Sequence, residues 1–64
     1  MKILRQYLQL TGMPQIDLAA KLGIDPPHLN NVIAGRIEAG PKLIKRISDT
    51  TNIRIEKLIN SAAA

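Results

Sequence analysis

Apolar residues recur along this chain at helical spacing, in five short runs separated by Gly, Pro and Asn. Leu4, Tyr7 and Leu8 share a face by i, i+3, i+4 spacing, while Lys2, Arg5, Gln6 and Gln9 turn mostly elsewhere. That pattern predicts a helix over about 2–10, broken by Gly12. Leu18, Ala19 and Leu22 form the stripe of a second helix over about 14–22. Pro14 suits a helix start, Asp17 puts a negative charge in the first turn, and Gly23 stands where a left-handed residue closes the last one.

A third helix, about 26–34, has Asp25 as candidate N-cap and Pro26 in the first helical position. Pro27 is tolerated beside it, because first-turn N–H groups have no intrahelical partner. Leu29 and Val32 point inward, and Gly35 ends the helix after Ala34. Gly40 and Pro41 open a fourth helix that runs to about Thr51, with Leu43, Ile44 and Ile47 on its apolar side and Asn52 as its stop. A short fifth helix, about 55–61, contributes Leu58; Ile55 and Ile59 divide evenly between core and interface. No segment reads convincingly as a strand. Five helices with short connections suit a compact all-α bundle.

The stretch from Gln15 to Arg36 carries a further logic. Two helices that cross steeply need a small residue at the crossing, and Ala19 supplies it. The sharp turn between them needs a residue tolerant of positive φ, and Gly23 supplies it. Ile24 plugs the turn into the core. The face of the third helix opposite Leu29 and Val32 carries Pro27, Asn30 and Asn31, with His28 at its edge. This is the sequence form of a helix-turn-helix, whose second helix enters the DNA major groove.

Charge and composition agree with that reading. Nine Lys and Arg against five Asp and Glu give a net charge of +4 and a sequence pI near 10.0. Such a balance suits a polyanion. The 64 residues are expected to form a single domain, 1–64. There is no cysteine to staple it, and His28 is the lone histidine, so no metal and no cofactor is expected. Asp17, Asp25 and Asp49 are scattered helix-end or surface residues, which argues against an enzyme. No apolar run approaches the ~18 residues that span a bilayer. The opening MKILRQYLQL is interrupted by Arg5, Gln6 and Gln9 and does not read as a secretory signal. The Ala62–Ala64 tail is expected to fray.

On Gln15, Leu18-Ala19, Leu22-Gly23-Ile24, Leu29, Val32, Gly35-Arg36 and the later Pro41-x-Leu43-x-x-x-Ile47, the chain resembles the Cro/repressor helix-turn-helix family of lambdoid phages and related bacterial regulators. The resemblance spans roughly Leu4 to Leu58 and implies a five-helix, lambda-repressor-like bundle. It implies that Gln15 meets a phosphate at the start of the second helix and that Arg36 meets one in the loop after the third. It also places Pro26, Pro27, Asn30 and Asn31 at exposed recognition-helix positions. The chain departs from the family twice. Pro14 stands where a Thr or Ser N-cap is usual, and Pro26-Pro27 stand where base-reading Gln or Ser often stands. Proline has no donor, so readout shifts toward Asn31, then Asn30 and His28, with Pro26 and Pro27 left to pack on a thymine methyl or a sugar. Specificity is then expected to be modest, with a larger share from phosphates and DNA shape.

The expected function is a sequence-specific transcriptional regulator of double-stranded DNA, a Cro-like repressor acting by operator occlusion in the cytoplasm of a prokaryotic cell or phage-infected host. Phosphate contacts fall to Gln15, Arg36 and Lys42. Asparagine can pair bidentately with adenine, which makes Asn31 the first candidate for a base contact. Lys45 and Arg46 read as a solvated helix face. The resemblance implies a near-palindromic operator and a weak homodimer, or a dimer formed on DNA through the last helix. The alternative is a protein-interaction module of the same fold, such as an antitoxin that binds a partner toxin.

Overall fold

Each of the five apolar stripes becomes a helix: α1 (Lys2–Thr11), α2 (Gln15–Leu22), α3 (Pro26–Ile33), α4 (Pro41–Thr51) and α5 (Ile55–Ala63). This computed structural model describes the backbone over residues 1–63 and the side chains over residues 1–60. The fraying expected of Ala62–Ala64 lies outside the residues described in full. The protein is all-α among the described residues.

The boundaries differ from expectation by a residue or two, and the first difference has a clear cause. Pro14 precedes α2 instead of opening it, because its backbone is extended (φ −64°, ψ 147°). Its carbonyl accepts the first bonds of the helix, from the Asp17 and Leu18 N–H groups at 3.1 and 3.3 Å. Helix α3 likewise stops at Ile33, one residue before the expected Ala34.

The core draws its largest buried side chains from every helix: Leu4 of α1, Leu18 and Leu22 of α2, Leu29 of α3, Ile47 of α4 and Leu58 of α5. Helix α2 packs on α3 and α4, α1 packs on α3 and α5, and α4 packs on α5. Ala19 is fully buried in this cluster. Tyr7 is only half-buried, so Leu4 carries the inward face of α1. Ile33 is buried as well, four residues after Leu29 on the same face, and widens the stripe beyond Leu29 and Val32.

The α4–α5 corner is closed by side-chain hydroxyls. Thr51 Oγ1 donates to the Ile47 carbonyl at 2.7 Å and accepts from the Ile53 N–H at 3.3 Å. Ser48 Oγ donates to the Ile53 carbonyl at 2.6 Å. Asn52 turns the corner with φ 61°, a left-handed conformation that asparagine tolerates better than other residues with a side chain.

Candidate nucleic-acid interface

Helix α2 ends in a tight left-handed turn. Gly23 takes φ 72°, its N–H donates to the Ala20 carbonyl at 3.2 Å, and the Ile24 N–H donates to the Ala19 carbonyl at 3.0 Å. This pair of bonds is a Schellman motif, which satisfies carbonyls a helix end would otherwise leave open. The motif brings the residue after the glycine back over the last helical turn. That residue is Ile24, which is half-buried against the core cluster and anchors the turn.

A second anchor comes from α4. Arg46 Nη1 donates to the Leu22 carbonyl at 3.3 Å. A cation here also meets the negative end of the α2 dipole. Arg46 is exposed, as expected of a solvated helix face, and makes this bond in addition. Local sequence patterning had no means of finding this bond, because its partners lie 24 residues apart.

Helix α3 begins at Asp25, whose backbone has the extended N-cap geometry (φ −71°, ψ 143°) but whose side chain makes no capping bond. A capping oxygen accepts from the second or third helical N–H; the second position is Pro27, which has none, so the His28 N–H is the one capping donor at this end. The backbone does its part regardless, with the Leu29 N–H donating to the Asp25 carbonyl at 3.1 Å.

The faces of α3 are sharply divided. Leu29, Val32 and Ile33 are buried, whereas Pro26, Pro27, His28 and Asn30 are exposed and Asn31 is half-buried between them. Of the outward face, only Asn31 is partly covered. The donors of this face are the side chains of His28, Asn30 and Asn31, since the two prolines offer none.

Helix α3 ends in the same device as α2. Gly35 takes φ 81°, its N–H donates to the Val32 carbonyl at 3.1 Å, and the Arg36 N–H donates to the Asn31 carbonyl at 2.9 Å. The chain folds back, and the Arg36 side chain lands on the last turn of α3. There its Nη1 donates to Asn31 Oδ1 at 3.3 Å. The Ile33 carbonyl, also at this end, accepts from the Met1 ammonium at 2.8 Å.

Of the sequence-predicted contacts, the structure brings Asn31 and Arg36 together directly. Gln15 stands half-buried at the start of α2 and Lys42 exposed in the first turn of α4; neither joins the Asn31–Arg36 pair. Helix α2 also keeps the N–H groups of Gln15 and Ile16 at its start, whereas α3 opens on two prolines and α4 on Pro41. Of α2, α3 and α4, it is therefore α2 that keeps the most backbone N–H groups at its start for a phosphate to use.

Comparison with known proteins places this geometry in a wider group. A family model described as helix-turn-helix matches residues 4–58. No curated protein and no solved structure gives a significant match.

Proposed function

The chain belongs to this helix-turn-helix family, a membership that implies DNA binding, and on that premise we propose that it is a sequence-specific transcriptional regulator that reads the major groove with α3. The observation that carries the reading is the division of α3. One face is committed to the core, while the other presents Pro26, Pro27, His28 and Asn30 exposed and Asn31 half-buried beside Arg36. Asn31 and Asn30 are the base contacts, with His28 beside them and the two prolines against a thymine methyl or a sugar. Gln15, Arg36 and Lys42 hold phosphates and set affinity and its salt dependence. The simplest regulatory mechanism is Cro-like: the bound protein occludes an operator in the cytoplasm of a prokaryotic cell or phage-infected host.

Pairing of two copies on a near-palindromic site is part of the proposal. Ala39, Pro41, Ile44, Lys45, Ile55 and Ile59 line an open, mainly apolar groove of about 420 Å³ between α4 and α5. Ile55 and Ile59 are 43% and 53% exposed at its edge, as apolar residues awaiting a partner would be. Each copy carries +4, so two copies repel in solution, and DNA phosphates offset that repulsion. The dimer is accordingly expected to form on DNA and to be weak without it.

Selection of duplexes from a random pool tests the function. Enrichment of a short pseudo-palindrome supports it. Binding without enrichment that disappears steeply with salt replaces it with non-specific binding. No binding even at low salt turns the function toward a protein partner.

A further inference from the structure

We infer that Arg36 sets the base preference of Asn31, and that the two side chains together select guanine over adenine. The inference rests on the DNA-reading role of α3 proposed above and specifies which base that helix prefers.

Arginine carries donors only, so the amide atom that meets Arg36 Nη1 at 3.3 Å must be the oxygen of Asn31. The orientation of this amide is thereby fixed by chemistry. Its Oδ1 is turned to Arg36, and its NH₂ group is what remains to be offered outward. The backbone holds the two side chains in this relation. With Gly35 at φ 81° and the Arg36 N–H bonded to the Asn31 carbonyl at 2.9 Å, the arginine side chain starts directly above the asparagine.

An asparagine that reads adenine needs both ends of its amide: the oxygen accepts from N6 and the nitrogen donates to N7. Here the oxygen is engaged. A second lone pair remains on Oδ1, but an adenine N6 amino group reaching it would meet the guanidinium, donor against donor. Guanine presents two acceptors in the major groove, O6 and N7. With its oxygen engaged by Arg36, Asn31 offers the base only the donors of its NH₂ group, which match those acceptors. Arg36 is then a positioning residue for readout as well as a source of positive charge.

The test uses the full chain and random duplex pools, with Asn31→Ala and Arg36→Ala beside the wild-type protein. Asn31→Ala should flatten the preference at one position of the half-site and so identify it. At that position the wild-type protein should favour guanine over adenine about tenfold, the scale of one good base contact. Arg36→Ala should frees the amide oxygen and move the preference toward adenine. Guanine preference left unchanged by Arg36→Ala, with all sequences weakened alike, overturns the inference and leaves Arg36 as a phosphate contact. Adenine in the wild-type site overturns it as well. A pool with no enriched site removes the DNA-reading role itself. A measurement without DNA separates these cases further. In the free protein, Arg36→Ala should shift the side-chain amide resonances of Asn31 more than those of Asn30; equal or absent shifts show that the brace does not form.

Discussion

The two ends that flank the turn and the exit of α3 use one backbone device for two purposes. Gly23 and Gly35 are both left-handed, at φ 72° and 81°, and both are followed by the same pair of hydrogen bonds back to the preceding helix. In each case the residue after the glycine is returned over the last helical turn. After Gly23 that residue is Ile24, half-buried against the core; after Gly35 it is Arg36, exposed and bonded to Asn31. The Schellman motif is usually accompanied by an apolar contact at this place. The first turn keeps that contact, and the second replaces it with a polar pair at the surface. The backbone decides where the side chain falls, and the side chain decides whether the place becomes core or binding surface.

The largest way to break this comparison is Ile24→Ala. It should destabilise the domain by about 2 kcal/mol, the low end for a large aliphatic side chain because Ile24 is only half-buried. Urea unfolding monitored by helicity checks it. Next come Gly23→Ala and Gly35→Ala. A left-handed alanine costs roughly 1–2 kcal/mol, and neither position is crowded: a Cβ at Gly23 lies 3.7 Å from Arg46 Nη1, and one at Gly35 meets nothing within 4 Å. The two should therefore lose similar stability in the same assay, and unequal losses would show that the turns are not equivalent. Arg46→Ala removes the bond to the Leu22 carbonyl and should lower stability by about 1 kcal/mol. The smallest effect on stability is that of Arg36→Ala, within about 0.5 kcal/mol. Its effect belongs to DNA instead, where the salt slope of binding should fall by about one unit. A large stability loss from Arg36→Ala would place this residue with Ile24 and erase the contrast.

Much of this architecture is legible in the sequence because its cause is local. The stripes of Leu4, Leu18, Leu29, Ile47 and Leu58 set the five helices, and the glycines mark both turns. The outward face of α3 is likewise legible, since helical period places Asn30 and Asn31 away from Leu29 and Val32. What escaped is of two kinds. The Arg46 bond depends on how α4 packs on α2, which no local pattern records. The Asn31–Arg36 bond joins two residues that sequence reading had given separate roles, one to a base and the other to a phosphate. Their union needs the path of the chain through Gly35, not just the presence of the glycine. The missing Asp25 side-chain bond is only half legible, because Pro27 removes the second helical donor while the third, the His28 N–H, remains.

The paired prolines at the start of α3 have so far counted as a loss of donors. They also act on the chain before it folds. Pro26 has a fixed φ that already suits a first helical residue, and no N–H at that place is missed. Asp25 has ψ 143°, the extended conformation that a following proline favours. A proline so placed reduces the freedom of the unfolded chain and stabilises the native state by about 0.4–1 kcal/mol. At Pro27 the same gain is set against crowding of the helical residue before it. In a protein with neither a disulfide nor a large core, the least talkative part of the reading helix is also the part that most narrows the unfolded ensemble.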